Sequence, residues 1–220
     1  SVQEVMDLTA VSHLTAIKGS IPFLNFFDGF RTSHEIQKID TLEYEDLARL
    51  VDYDALARFK ALALNPEHPY QKGTAQNPDI FFQAKEASNR FYTVIPDMVE
   101  SYMQEIRKLT GREYHPFNYY GAPDAENVIV AMGSVCQAIE ETVDYLNARG
   151  EKTGVVEVHL YRPFSEKYFF GVLPSSVKRM AVLDRCKEPG ALGEPLYQDV
   201  CTLFRDKAAQ PLIVGGRYGL

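Results

Sequence analysis

Apolar positions recur at helical spacing through much of the first half of the chain. Helices are predicted at 2–18, 41–64 and 80–107, the last one divided at Pro96. The stretch 65–79 separates the second helix from the third and holds three prolines and a Lys-Gly-Thr turn. Because proline and glycine interrupt regular structure, we expect a loop between structural units there.

A short apolar run at 21–27, IPFLNFF, interrupts the helical spacing, and its length and aromatic content predict a buried strand. It leads into FFDGFRTSHE, residues 26–35, where Gly29 indicates a turn. Thr32 and Glu35 then fit a capping box, so a capped helix is expected to follow. Ligands often bind at the carboxyl ends of strands in α/β folds. Two interpretations therefore stay open: the polar groups join two elements, which the local sequence favours, or they serve catalysis.

The second half of the chain alternates between short apolar runs and amphipathic stretches. Strands are predicted at 127–134, 155–164, 178–185 and 211–216, and helices at 135–150, 165–173 and 195–208. Strands that alternate with helices pair in parallel through right-handed crossovers. This half is therefore expected to be a three-layer α/β/α domain with a mostly parallel sheet.

Composition narrows the class of protein. The chain has 220 residues, of which 45% are hydrophobic, so it can bury a core. Its net charge of −7 argues against a nucleic-acid surface, which would need a basic face. No apolar run is long enough for a membrane span, and the N-terminal SVQEVMDL does not resemble a signal peptide, so a cytoplasmic location is expected. The first residue is Ser rather than Met, which indicates a processed or excised piece.

The three cysteines, Cys136, Cys186 and Cys201, are odd in number and widely spaced, which favours a reducing compartment without disulfides. They form no CxxC cluster or zinc motif, and the histidines show no metal-ligand spacing (His13, His68, His115 and His159). Cys136 falls within the first turn of a predicted helix, where a thiol pKa can drop, although a buried, inert thiol is more common there. His159 alternates with Glu157 on one strand face, which structure explains as well as catalysis does.

Two glycine-bearing loops are candidates for anion binding. Gly133-Ser134 follows a strand and opens a helix, so its N–H groups could hold a phosphate, although a simple tight turn is the favoured interpretation. The loop 189–195, which contains Gly190, follows the third strand of this half and suits either a ligand or a domain contact. Before it, residues 184–188 mix both signs of charge and indicate a salt-bridged rim. No Ser/His/Asp set can be assembled.

Long stretches of the chain resemble one family, pyruvate:ferredoxin (or flavodoxin) oxidoreductase. They are IPFLNFFDGFRTSHEIQKI, HPYQKGTAQNPDIFFQAKEASNRFY, YYGAPDAENVIVAMGS, VHLYRPFS, AVLDRCKEPGALGEPLYQDV and IVGGRYGL. The resemblance implies that residues 1–75 are the C-terminal part of the pyrimidine-binding-like domain I, a truncated α/β piece. It implies that residues 76–220 form a helical linker and domain II, which is similar to the C-terminal domain of transketolase.

The resemblance also implies the reaction of a much longer enzyme. Pyruvate is decarboxylated on thiamine diphosphate with Mg²⁺, electrons pass through [4Fe–4S] clusters to ferredoxin or flavodoxin, and the acetyl group goes to coenzyme A. The implied partners are the remaining domains of the polypeptide and a second copy in a homodimer. Neither a nucleic acid nor a membrane is expected as a partner.

The family's functional residues do not map onto this chain. Its substrate-contacting Thr and Arg and its activating Glu would lie upstream, and its phosphate, Mg²⁺ and cluster ligands downstream. We therefore expect no catalytic, cofactor-binding or metal-binding residue here, and no activity of this chain alone. A lesser possibility is that Arg31 or His34 supports the cofactor site from behind. The alternatives are a related enzyme with another 2-oxoacid or acceptor, and a stand-alone module that binds an anion at the Gly133 or Gly190 loop.

Overall fold

The computed structural model describes residues 1–30, 32–69, 71, 73 and 75–219. They divide into two compact units, each described by itself below. The helical unit comprises Gln3–Phe26 and Lys38–Glu113, and the sheet unit comprises Ser1–Val2, Phe27–Gln37 and the chain from Tyr114 onwards. In the described part of the chain, no helix is both long and apolar enough to cross a membrane.

The helical unit is built around two long helices. Its helices are α1 (Val2–Gly19), α2 (Tyr44–Leu50), α3 (Tyr53–Ala61), α4 (Pro78–Ala87), α5 (Asn89–Thr93) and α6 (Ile95–Thr110). Helix α1 contacts the start of α6 at Gly19, where a Cβ atom would come within 2.7 Å of Ile95 Cδ1. Gly111 ends α6 in the left-handed conformation, with φ 75°. The prediction of a helix at 2–18 is thus confirmed.

The other predicted helices are correct in type but subdivided. The stretch 41–64 breaks into α2 and α3 because Asp52 caps the second helix, its carboxylate accepting a hydrogen bond from Ala55 N at 2.8 Å. The stretch 80–107 forms three helices rather than two. Pro96 lies in the first turn of α6, where proline is tolerated because its missing N–H would have no partner in the helix.

Within the helical unit, a network of ion pairs and hydrogen bonds connects α1 to Arg112, the residue that follows Gly111. Asp7 is fully buried, and Arg112 donates to its carboxylate twice, from Nε at 2.6 Å and from Nη2 at 3.1 Å. Arg112 Nη1 also donates to Asp40 Oδ2 at 3.2 Å, and Gln3 accepts from Asp40 N at 2.8 Å. A buried carboxylate held by a two-pronged guanidinium is a strong link between segments that are distant in sequence.

The prediction of a strand at 21–27 is wrong. These residues are irregular, and Leu24, Phe26 and Phe27 are exposed, Leu24 by 83%. In the described part of the chain, the sheet pairs only strands that lie between residues 117 and 217, and this run is not among them. The expected capped helix is also wrong: Thr32–His34 form a single 3-10 turn.

The sheet unit contains one five-stranded sheet. Its strands are β1 (Phe117–Gly121), β2 (Asn127–Ala131), β3 (Thr153–Val158), β4 (Arg179–Asp184) and β5 (Leu212–Arg217), in the order β1-β3-β2-β4-β5. The last four strands along the chain pair in parallel, and the edge strand β1, which the sequence pattern missed, runs antiparallel to β3. The sheet is therefore mostly parallel, as predicted.

Helices cover both faces of this sheet. Helix α7 (Val135–Asn147) packs its Ile139 and Val143 against Val155 of β3 on one face. Helices α8 (Glu166–Val172) and α9 (Pro195–Phe204) pack on the other, where buried side chains of the helices meet those of β2, β3 and β4. The expected three-layer α/β/α architecture is confirmed.

Candidate functional site at the carboxyl end of the sheet

A crevice is expected at the carboxyl ends of β2 and β4, because their onward connections run in opposite directions. Strand β2 leads through α7 to β3, and β4 leads through α9 to β5 on the other side. In doubly wound sheets such a switch point is where ligands bind. Gly133 and Ser134, one of the two predicted candidates for anion binding, follow β2, and Arg185, from the predicted salt-bridged rim, follows β4.

The switch point is filled by a carboxylate of the chain itself. Asp28, from the FFDGF stretch, accepts hydrogen bonds at Oδ2 from the Ser134 N–H at 2.8 Å and from the Ser134 hydroxyl. Its Oδ1 pairs with Arg185 Nη1 at 3.0 Å. Asp28 and Ser134 are 106 positions apart, so the contact ties the segment 27–37 to the sheet. Here the helix N-terminus and the guanidinium both stabilise a negative charge.

The surroundings keep this carboxylate ionised. Burial alone would raise the pKa of Asp28, but the hydrogen bonds from Ser134 and the charge of Arg185 outweigh it and lower the pKa below 3.8. Gly133 is adapted to the contact. It has φ +81°, and a Cβ atom there would lie 3.0 Å from Asp28 Oδ2. The glycine therefore lets the carboxylate approach the backbone closely.

This arrangement does not fit a bound diphosphate. The Ser134 N–H that would hold a phosphate oxygen already donates to Asp28, and the Asp28 charge would repel a second anion at the same place. In the described part of the chain, no group of three His, Cys, Asp or Glu side chains is arranged to hold a metal ion. The turn at Gly133-Ser134, for which a simple tight turn was the favoured interpretation, thus binds a carboxylate of the chain itself.

Tyr218, the residue after β5, lies at the same carboxyl edge of the sheet. Its hydroxyl donates to the Met132 carbonyl at 3.2 Å, and its N–H donates to the Asp184 carbonyl at 3.2 Å. Burial, reinforced by the nearby Asp28 charge, raises the pKa of Tyr218 to about 12. Three strand ends, those of β2, β4 and β5, therefore meet around Asp28.

Around the glycine-bearing loop 189–195, carboxylates of the chain itself also accept hydrogen bonds from backbone N–H groups. Asp184, which is 4% exposed, accepts from Leu196 N at 3.0 Å and from Tyr197 N at 3.1 Å at the start of α9. Burial raises the pKa of Asp184, and the two N–H groups oppose that effect. A second helix N-terminus therefore holds a carboxylate of the chain.

Glu194 ties the two ends of this loop to β5. It accepts a hydrogen bond from Arg217 Nη1 at 2.8 Å and from Glu188 N at 2.7 Å. The bond from Arg217 is the main cause that lowers the pKa of Glu194. These contacts favour the structural interpretation of the loop over that of a ligand site.

The other candidate residues do not come together. Cys136 is buried on the inner face of α7, and His159 Nδ1 lies 2.9 Å from the His115 carbonyl oxygen. His34 Nδ1 lies 2.5 Å from the Phe30 carbonyl oxygen, within its own turn. Arg31 lies outside the described residues. Together, fold and site define a doubly wound α/β domain whose switch point is filled by its own chain.

Comparison with known proteins identifies the family. Residues 1–104 match the model "Pyruvate flavodoxin/ferredoxin oxidoreductase, thiamine diP-bdg", and residues 125–219 match "Pyruvate:ferredoxin oxidoreductase core domain II". The whole chain is 70% identical to pyruvate-flavodoxin oxidoreductase of Enterobacter agglomerans and 62% identical to pyruvate:ferredoxin oxidoreductase of Moorella thermoacetica. The chain belongs to the pyruvate:ferredoxin/flavodoxin oxidoreductase family, as its motifs indicated.

The chain spans 19% of the length of each of these two relatives. It is also 51% identical over its full length to the pyruvate dehydrogenase [NADP(+)] of Cryptosporidium parvum, of which it spans 12%. A weaker structural likeness, with a TM-score of 0.38 and 16% identity, links 70% of this chain to 23% of a chain of 2-oxoglutarate:ferredoxin oxidoreductase from Magnetococcus marinus. The fold assignment rests on the sheet described above.

Proposed function

We propose that this chain is part of an enzyme that oxidatively decarboxylates pyruvate to acetyl-CoA and passes the electrons to ferredoxin or flavodoxin. The observation that carries the proposal is 70% identity to a pyruvate-flavodoxin oxidoreductase over all 220 residues, without a part of the chain left unmatched. The two family models, which follow each other along the chain, support it.

The whole enzyme would use thiamine diphosphate, Mg²⁺ and [4Fe–4S] clusters, with coenzyme A as co-substrate, and would act as a homodimer. Within it, we assign to this chain a structural role without catalytic, cofactor-binding or metal-binding residues. The filled switch point supports that assignment, because Asp28 takes the place where a doubly wound domain would bind a ligand. The resemblance to the family supports a cytoplasmic location.

We further propose that residues 1–75 belong to the thiamine-pyrimidine-binding type of domain and residues 76–220 to a helical linker and the transketolase-like domain. Helices α4 to α6, which precede the sheet, support the assignment of a linker. The loop 65–79 with its three prolines supports a division between units in this region.

Activity of the full-length protein tests the proposed reaction. Purified under anaerobic conditions, the protein should form acetyl-CoA from pyruvate and coenzyme A while it reduces ferredoxin or flavodoxin. The matched controls omit coenzyme A, or replace pyruvate by 2-oxoglutarate or 2-oxobutyrate. Faster turnover of another 2-oxoacid would assign a different substrate, and a full-length protein of only this size would favour the stand-alone anion-binding module.

A different electron acceptor is a second candidate. The identity of 51% to a relative named pyruvate dehydrogenase [NADP(+)] favours testing it, because these domains are similar among proteins named for different acceptors. The assay therefore includes NADP⁺ beside ferredoxin and flavodoxin. Reduction of NADP⁺ at a rate comparable to that of flavodoxin would replace the proposed acceptor and leave pyruvate as the substrate.

A further inference from the structure

The contacts of Asp28 have the features of a built binding site for an oxyanion. One oxygen accepts from the N–H and the hydroxyl of Ser134, and the other pairs with Arg185 Nη1 at 3.0 Å. The three donors come from the ends of two adjacent strands, and only the acceptor comes from the distant segment 27–37. The sheet therefore brings the three donors together, whereas the acceptor comes from elsewhere in the chain.

Ser134 is committed to this anion rather than to its own helix. It is the N-cap residue of α7, a position whose hydroxyl usually accepts from an N–H of the first turn. Here the side chain makes no such capping bond, and its hydroxyl donates to Asp28 instead. The Ser134 hydroxyl therefore acts as a donor to the carboxylate.

Glycines on both sides clear the space for the anion and its guanidinium partner. At Gly133, a Cβ atom would come within 3.0 Å of the carboxylate oxygen. At Gly219, which has φ +61°, a Cβ atom would come within 3.2 Å of Arg185 Nε. Both positions therefore favour a residue without a side chain next to the site.

We propose that Ser134 and Arg185 form a carboxylate-binding site in which Asp28 is the resident ligand, and that a free carboxylate takes its place when Asp28 is removed. The separate partners of the two oxygens fit a planar two-oxygen anion. In the intact chain, a free anion is a poor competitor because Asp28 is tethered and has a high effective concentration. The inference concerns binding by this chain and does not depend on the proposed enzyme reaction.

Chemical rescue of an Asp28→Ala variant tests the proposal. The variant should melt below the wild type by an amount on the order of 5 °C, since a charge-assisted contact is lost. Sodium formate or acetate should then raise its melting temperature in a saturable manner, relative to sodium chloride at equal ionic strength. The wild type should show no such saturable rise.

Two matched variants separate site binding from a general salt effect. Asp28→Asn keeps the space filled, so acetate should not rescue it. Asp28→Ala combined with Arg185→Gln lacks the cationic partner and should also lose the rescue. An equal rise in all variants would overturn the proposal, and rescue by phosphate alone would overturn the carboxylate class.

If Asp28→Ala does not fold in chloride, its refolding yield in acetate replaces the melting temperature. A higher yield in acetate than in chloride, absent in the double variant, supports the proposal. An equal yield in both salts overturns it.

Discussion

Substitution of Gly133 by Ala tests directly how closely the Asp28 carboxylate approaches the backbone. The new methyl group would be placed 3.0 Å from Asp28 Oδ2, closer than ordinary van der Waals contact allows. Gly133 also has φ +81°, which a residue with a side chain adopts only at a cost. The substitution therefore combines backbone strain with displacement of Asp28.

Gly150→Ala is a matched control for the strain alone. Gly150 has φ +88°, but a Cβ atom there would have no other atom within 4 Å. Backbone strain should cost each variant about 1–2 kcal/mol of unfolding free energy. Weakening of the hydrogen bonds to a charged group should cost Gly133→Ala about 1.5–3 kcal/mol more.

Urea unfolding of the two variants and the wild type measures the difference. Gly133→Ala should be less stable than Gly150→Ala by at least about 1.5 kcal/mol. Adding Asp28→Asn to both should shrink that difference, because the two changes in the contact are coupled. Equal losses for the two alanine variants would show that the carboxylate does not crowd Gly133, and the reasoning would fail.

The remaining predictions concern the buried ion pair, two titrations and the cofactors. Arg112→Gln should lower the unfolding free energy by about 3–5 kcal/mol in urea, because it leaves the Asp7 carboxylate buried without its guanidinium. Arg107→Gln, at a pair whose side chains are about half exposed, should cost no more than about 1 kcal/mol. Folding lowers the pKa of Asp28 from 3.8, so the carboxylate contributes fully to the unfolding free energy above that pH. This contribution is lost as the pH falls through the lowered pKa. The unfolding free energy of Asp28→Asn should therefore fall less steeply than that of the wild type as the pH is lowered. The pKa of Tyr218 is raised from 10.0 to about 12, so the protonated phenol contributes fully to the unfolding free energy below pH 10.0, and this contribution is lost as the pH rises towards 12. An absorbance titration of Tyr218→Phe should lack one phenol that ionises late in the wild type. The chain alone should bind neither thiamine diphosphate with Mg²⁺ in calorimetry nor iron after anaerobic purification, and stoichiometric binding of either would contradict the structural role.

The parts of the fold that were predictable from sequence have a local cause. The amphipathic pattern of α7 and the apolar runs of β2 and β4 each lie within 13 residues or fewer, and their alternation determines parallel pairing. The antiparallel edge strand β1 was missed because Phe117–Gly121 has the polar Asn118 and a final glycine, and its pairing with β3 depends on a segment far along the chain.

The wrong prediction at 21–27 has the opposite cause. The run is apolar and aromatic, which is typical of a buried strand, but a strand also needs a neighbour to satisfy its backbone. In the described residues the run pairs with no strand of the sheet, and Phe26 and Phe27 are exposed. The sequence pattern therefore identified an apolar run correctly but predicted the wrong secondary structure for it.

The candidate site also depends on a contact that local sequence does not reveal. From local sequence, Gly133-Ser134 was a candidate for anion binding, although a simple tight turn was favoured, and the stretch FFDGFRTSHE was a set of polar groups behind an apolar run. That Asp28 is the anion for that turn follows from neither motif, because the pairing spans 106 residues and is made by tertiary structure. A helix N-terminus that attracts negative charge accepts a ligand phosphate or a carboxylate of its own chain on the same physical grounds. Only the position of Asp28 in the fold decides between a cofactor site and a structural contact.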